Sequence, residues 1–544
     1  MAEADAIGPP RLTAGAFLRR HWLALALLPA LIGLLLPGHA TLIRCAGSIG
    51  FPYQLDREEG FLLEQGLRLA DGETIYPSLK DYPYTVGNYP PVYPVLLAVG
   101  TLVAGDSLAP GRILAGLAAF LIAGLILYAV LREPAGGLVG GLIAVGLFLG
   151  TWALSEWIAF VRVDLPALAL GMAGFVLGTG RQSRLRLAAV VALFSLAFFT
   201  KQTQIIAPLA LFGAMLWRRQ WRGAGVFAAA MAGTCAVFLG LLVLATAGEF
   251  WRHTVAYNAN AMYWNQVPVW LAHLRDFSGF ALVALIPAAG FLVWSECHRP
   301  GPVPEEPEGP HQPSRSLVAP ASLLYLGLAG LSLLTTAKAG SASNYLLEFL
   351  AVAALVTGLG ISRAAELLQN SALGPRRRRT AVAAAVVLAL LLLCHGASGS
   401  LNIGGTIARH RLFRQPPPPE LREQLALVEL HLSEFGSPVL AEEPIFAIRT
   451  GSPVLYQPFI MTQLAREGKW DPAPFVADLE EGRFGAILTN QDLARDGHFP
   501  GFTEEMRRAI LRAYRLREQI GGHFIYVPLD ADAKGPLRQF AWQQ

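Results

Sequence analysis

The sequence predicts a polytopic α-helical membrane protein of about eleven transmembrane helices, followed by a C-terminal α/β soluble domain. Three observations carry that expectation. Only 15% of the 544 residues are charged, whereas soluble domains hold about 25%. Hydrophobic residues make up 53% and come in blocks of membrane-spanning length, not at amphipathic intervals. Beyond residue 400 the chain turns to ordinary soluble composition.

The elements follow in order. Residues 1–20 read as a cytoplasmic N-terminus carrying Arg11, Arg19 and Arg20. The apolar block 21–43 is long enough to span and lacks a small-residue cleavage site, so it reads as an uncleaved anchor. A polar first outer loop fills 44–109, and ten further spans are predicted at 110–131, 135–154, 165–180, 185–200, 203–217, 224–246, 277–296, 317–337, 345–362 and 380–400. The stretch 89–105 begins YPPVYP and is too short to cross, so it reads as an interfacial or re-entrant helix. With it left out, Arg132, Arg181, Arg184, Arg186, Arg218, Arg219, Arg222, Arg299, Arg315, Arg363 and the run 376–379 all fall on the cytoplasmic side, as the positive-inside bias requires. Counting it as a span would put those clusters outside.

The polar segments 51–94, 155–164, 200–204, 247–276 and 338–345 then share the outer face. Residues 297–316 form a Pro/Glu-rich cytoplasmic linker without a core-forming pattern. The four cysteines have neither metal nor disulfide spacing. The formal charge of +4 gives no reason to expect a nucleic-acid partner. Basic residues that are nearly all arginine, with abundant alanine and glycine, point to a bacterial inner membrane.

After a linker at 401–419, the domain 420–544 is expected to face the periplasm. Leu421, Leu425, Val428 and Leu432 keep helical spacing, and 438–442, 484–490 and 523–528 read as strands. Thr503 stands as an N-cap before Glu504 and Glu505. The domain holds no nucleotide loop, zinc-protease motif or nucleophile elbow, so it is expected to cover the outer face, not to perform chemistry.

Candidate chemistry lies in the outer loops. Asp56, Glu58 and Glu59 precede an amphipathic helix carrying Phe61, Leu62, Leu69 and Ala70, which could rest on the membrane surface. A carboxylate held there can act as general base on a hydroxyl, although exposed acids are ordinarily just solvated. Arg162 and Asp164 stand at a membrane boundary, either as a simple ion pair or as binding groups. Lys201 and Lys338 suit a lipid phosphate, with snorkelling as the bland alternative. Asn344, Tyr345 and Glu348 are about one helical turn apart and could face a polar cavity.

Several of these residues fall into a familiar order. The patterns D-x-x-E-G (Asp56, Glu59, Gly60), G-x-x-I-Y (Gly72 to Tyr76) and Y-P-P-x-Y-P (Tyr89, Tyr93) resemble the first outer loop of GT-C glycosyltransferases. That superfamily includes protein O-mannosyltransferases and the lipid A aminoarabinose transferase. R-x-D (Arg162, Asp164), T-K-Q-T (Thr200 to Thr203) and G-S-x-x-N-Y-x-x-E (Gly340 to Glu348) resemble segments of its bacterial members. The resemblance covers about residues 20–400.

It implies a GT-C-like fold and an inverting transfer from a polyprenyl-phosphate-linked sugar donor to a glycan, lipid or protein acceptor. Asp56, then Glu59, with Glu58 beside them, are the implied candidates for the base. Many relatives carry two adjacent acids where Asp56 is here separated from Glu59. Arg162, Asp164, Lys201, Lys338, Tyr89, Tyr93, Asn344, Tyr345 and Glu348 would hold the donor phosphate and sugar. The need for a metal stays open: Asp56, Glu59 and Asp164 could gather around a divalent ion, and related enzymes differ on this point. Two other readings stay open: a transporter or flippase of lipid-linked sugars, and a non-catalytic assembly subunit of a cell-envelope complex.

Overall fold

A computed structural model describes residues 14–133, 137–181, 183–297, 316–369, 375–401, 415–495, 497 and 500–529. Most of the expected linkers at 297–316 and 401–419 lies outside the described residues.

Each of the eleven predicted blocks holds a helix. In chain order these are α1 (Ala14–Ile49), α4 (Ala109–Leu131), α5 (Leu138–Leu149), α7 (Asp164–Gly178), α8 (Arg184–Thr200), α9 (Ile206–Trp217), α10 (Trp221–Ala245), α12 (Gln266–Cys297), α13 (Val318–Ser332), α14 (Leu347–Gln369) and α15 (Pro375–Leu401). Among the described residues six stretches are long and apolar enough to cross a membrane: Leu27–Ile49, Ala109–Leu131, Trp221–Ala245, Gln266–Cys297, Val318–Ala337 and Ser343–Glu366. The chain is thus a multi-pass membrane protein. The helices pack around a core that includes Phe148, Phe175, Phe194 and Tyr325. Small residues let backbones meet, as expected where lipid supplies no hydrophobic drive between helices. A Cβ on Gly358 of α14 would lie 2.8 Å from the Gly140 carbonyl of α5.

The connections on one side build the rest. The first outer loop carries α2 (Glu59–Ala70) and α3 (Val92–Ala104). At 13 residues, α3 is too short to cross. The short helix α6 (Trp152–Trp157) precedes α7, and α11 (Glu249–Trp251) runs into a π-turn.

The tail forms α16 (Pro419–Ser433), α17 (Pro444–Arg449), α18 (Pro458–Arg466), α19 (Ala473–Glu480) and α20 (Glu504–Ala513). They stand around a sheet of β1 (Val439–Ala441), β2 (Ala486–Thr489), β3 (Tyr514–Ile520) and β4 (His523–Pro528). The strand order is β1-β2-β4-β3, with β1 and β2 parallel and the other pairs antiparallel. The Thr503 hydroxyl accepts from the Met506 N–H and caps α20. Leu425, Val428 and Leu432 of α16 pack into the same buried cluster as Phe61 and Leu62 of α2.

That cluster corrects one expectation. Instead of resting on the bilayer, α2 is buried from Glu59 to Gly66 between α3 and the tail. Its two glycines explain the fit. A Cβ at Gly66 would lie 2.9 Å from Leu97, and one at Gly60 would lie 2.9 Å from the Ile445 amide.

Candidate active site

The first outer loop turns sharply before α2, and Glu59 holds that turn. Its carboxylate is fully buried and accepts from the Leu55 amide, from the Asp56 amide (3.1 Å) and from the Val161 amide (2.8 Å). The Arg112 guanidinium of α4 closes on it through Nε (3.0 Å) and Nη2 (3.1 Å). Arg112 also donates to the carbonyls of Ser48, Phe51 and Tyr53. Every oxygen of Glu59 is therefore committed, and the loop that carries Asp56 is locked to α4 and to the approach to α7.

Asp56 sits at the open end of that turn. Its Oδ1 accepts from the Glu58 amide (3.2 Å) and from Arg162 Nη1 (3.0 Å), and Oδ2 has no donor among the described residues. Arg162 lies over the Trp157 ring (4.9 Å) and comes within 3.9 Å of Asp164 Oδ2. The shorter bonds of Asp164, the first residue of α7, go to Lys201 Nζ (2.5 Å) and Asn344 Nδ2 (2.8 Å). Lys201 in turn faces the Tyr345 ring at 5.3 Å. A single chain of charge thus runs Asp56–Arg162–Asp164–Lys201 and joins the first loop, α7, the end of α8 and the start of α14.

Two cavities meet on this chain. A polar one of about 300 Å³ is lined by Asp56, Glu58, Tyr89, Arg162, Lys201 and Lys338 among others. An apolar one of about 440 Å³ runs between α9, α13 and α14 past Leu168, Leu209, Leu328 and Leu331. They share Lys201, Gln202, Thr203, Asn344 and Tyr345. Lys338 Nζ donates to Asn258 Oδ1 (2.8 Å) and has no carboxylate partner among the described residues.

Burial above all, with the carboxylates of Glu59 and Asp164 adding to it, pushes the Asp56 carboxyl above its ordinary range against the pull of Arg162. Burial likewise raises Glu58, and burial with Lys201 nearby brings Lys338 down to about 8.

The tail closes the polar cavity. Tyr84 of the first loop bridges Tyr456, and Gln457 links the two segments: its Oε1 accepts from the Val86 amide (2.9 Å) and its Nε2 donates to Glu58 Oε2 (3.2 Å). Phe459 and Ile460 complete the wall.

Residues 88–247 match a family model described as dolichyl-phosphate-mannose-protein mannosyltransferase. The fold is similar to ArnT from Cupriavidus metallidurans in the apo state, with a TM-score of 0.55 at 13% identity over 95% of this chain and 99% of that one. The chain has the GT-C fold. ArnT bound to undecaprenyl phosphate matches equally well, with a TM-score of 0.55 at 12% identity over 94% of this chain and 99% of that one. The Archaeoglobus fulgidus oligosaccharyltransferase matches with a TM-score of 0.48 at 12% identity over 87% of this chain and 70% of that one. No curated protein sequence matches the chain.

Within this GT-C fold the structure brings together Asp56, Glu58, Tyr89, Arg162, Lys201, Lys338, Asn344 and Tyr345 on the polar cavity, while Asp164 and Glu348 line the apolar one. The Glu348 carboxylate accepts from the Tyr325 hydroxyl (2.8 Å). Two expected residues stand apart. Glu59 lies beneath the cavity, held by Arg112, and cannot reach an acceptor. Tyr93 is fully buried in the cluster under the first loop and lines neither cavity.

The carboxylates that could have gathered around a metal ion are held by cations instead: Glu59 by Arg112 beneath the loop, Asp56 by Arg162, and Asp164 between Lys201 and the same Arg162. Among the described residues no group of three His, Cys, Asp or Glu side chains is placed to hold a metal. Sequence reasoning missed Arg112, whose signal was a lone arginine in the first turn of an apolar span. It also missed Gln457, for which no local signal existed.

Proposed function

We propose that this protein is an inverting glycosyltransferase that moves a sugar from a polyprenyl-phosphate donor to an acceptor hydroxyl at the outer face of the bacterial inner membrane. The observation that carries the reading is the junction of a charged cavity with an apolar one at Lys201 and Tyr345. Such a site suits an amphiphile whose phosphate lies at the junction and whose chain runs between α9, α13 and α14 towards lipid. The undecaprenyl phosphate bound by the similarly folded ArnT supports the same chemistry.

Asp56 is the base. Its free Oδ2 takes the proton of the acceptor hydroxyl, the acceptor oxygen forms a bond to the anomeric carbon, and the bond from that carbon to the phosphate oxygen breaks on the opposite side. The polyprenyl phosphate leaves with the electron pair, stabilised by Lys338 and Lys201. Arg162 holds the Asp56 carboxylate in place, and Glu59 with Arg112 fixes the loop beneath it. Glu58, tied to Gln457, presents the tail to the acceptor.

Purified protein in nanodiscs is expected to bind undecaprenyl phosphate, as read by native mass spectrometry. Lys338→Gln should weaken that binding about tenfold through loss of one charge-assisted contact. Absence of binding to the wild-type chain would overturn the reading. A labelled sugar lipid that crosses the bilayer without transfer would favour a flippase.

A further inference from the structure

Asp56, the proposed base, takes one side-chain hydrogen bond among the described residues, and it comes from Arg162. Arg162 is itself held loosely. An arginine presents five N–H donors in one rigid plane. Here, among the described residues, Nη1 alone finds an acceptor, Asp56 Oδ1 at 3.0 Å. Nε is buried without a partner. It stands 3.9 Å from Asp164 Oδ2, beyond hydrogen-bond reach, and that oxygen is unpaired as well. A single bond fixes one nitrogen and leaves the guanidinium plane free to turn about it.

What lies against that plane is Trp157. The guanidinium carbon stands 4.9 Å from the centre of the indole, which lines the polar cavity and is otherwise buried. Cations favour the face of an aromatic ring, tryptophan above all, and more so where water is excluded. The ring is fixed from behind. Its Nε1–H can only donate, and it donates to the Ser343 hydroxyl at 2.6 Å. With its oxygen accepting, Ser343 turns its single hydrogen to the Glu156 carboxylate. Phe160 packs edge-on against the indole at 5.6 Å. Ser343 opens the turn Ser343–Leu346 ahead of α14, while Glu156 and Trp157 end α6, so the bonds join two elements behind the base. Glu156 and Ser343 line neither cavity, and they reach the site through Trp157. We propose, on the footing that Asp56 is the base, that Trp157 is its positioning residue: the indole, anchored through Ser343 to Glu156, sets the plane of Arg162 and so the direction of the Asp56 carboxylate.

The charged groups facing Asp56 are Arg162 and Asp164 from the approach to α7, Glu58 and Glu59 from its own loop, and Glu156 from α6. Of these Arg162 is the cation, and it draws the Asp56 carboxyl down. A guanidinium that turns away releases that pull, so Asp56 ionises at a higher pH and the acid limb of kcat moves up. The test is the pH profile of the full chain in nanodiscs with a labelled polyprenyl-phosphate sugar. Trp157→Leu is expected to lower kcat about tenfold and to raise its acid limb by about half a pH unit, the scale of one cation–π contact. Its affinity for undecaprenyl phosphate should stay within about twofold of wild type, which shows that it is folded. Trp157→Phe keeps an aromatic face and should return the limb most of the way. Ser343→Ala leaves the indole in place but unanchored and should raise the limb too, so the test stands even if Trp157→Leu does not fold. An acid limb unmoved in a folded Trp157→Leu or in Ser343→Ala, even with turnover reduced, would mark the indole as packing alone and overturn the proposal. A Phe variant no better than the Leu one would do the same. Full turnover by Asp56→Asn would instead remove the base on which the proposal rests.

Discussion

Asp56 and Glu59 are three residues apart, and their different surroundings assign them different work. Glu59 meets Arg112 in a fully enclosed site, and breaking such a pair strands a charge at a cost of about 3–5 kcal/mol. Arg112→Met should therefore lower folded yield and melting temperature in detergent. If it melted like wild type, the role given to this pair would be wrong.

Asp56 keeps partial access to the cavity, and its burial raises the pH at which it ionises. A base must be ionised, so turnover should fall as pH drops through that raised value, above the ordinary aspartate value of about 4. At the other limb Lys338, brought down to about 8, loses its charge as pH rises, so the donor KM should climb above that pH. A pH profile of kcat and KM separates the two effects, and an alkaline limb in kcat with constant KM would count against Lys338. The chemical types of these residues were legible in the sequence. Their partners were not, because Asp56 and Arg162 are 106 positions apart and the pairing of Glu59 with Arg112 spans 53.

Among the elements, helices were the legible part, since apolar length is written locally. The tail strands at 439–441, 486–489 and 523–528 were legible for the same reason, as short apolar runs. By contrast β3, with the sequence YRLREQI, has an exposed, charged face that gives little strand signal, and it is fixed by its pairing with β4. The location of α2 was misread because its apolar face fits a bilayer and a protein core equally well. Its glycines decide between them. Gly66→Leu would drive a side chain into the backbone of α3 near Leu97. It should destabilise the protein by about 1–3 kcal/mol and reduce transfer by shifting the loop that bears Asp56. An unchanged melting curve would show that the α2–α3 contact is looser than described.

At the scale of the molecule, the membrane helices set out the charged chain and the tail supplies the remaining wall through Gln457, Phe459 and Ile460. For the proposed transfer both must lie on the outer side. In a background without native cysteines, Lys80→Cys should react with an impermeant maleimide added to intact spheroplasts, and Arg219→Cys should react only after lysis. The opposite pattern would place the site in the cytoplasm.

The most direct measurement is sugar transfer by Asp56→Asn, a variant that keeps the shape of the side chain and removes its basicity. With labelled polyprenyl-phosphate sugar and cell-envelope acceptor, it should bind donor like wild type and lose about 10²–10⁴-fold in turnover. Undiminished turnover by a folded Asp56→Asn protein would contradict the account at its centre.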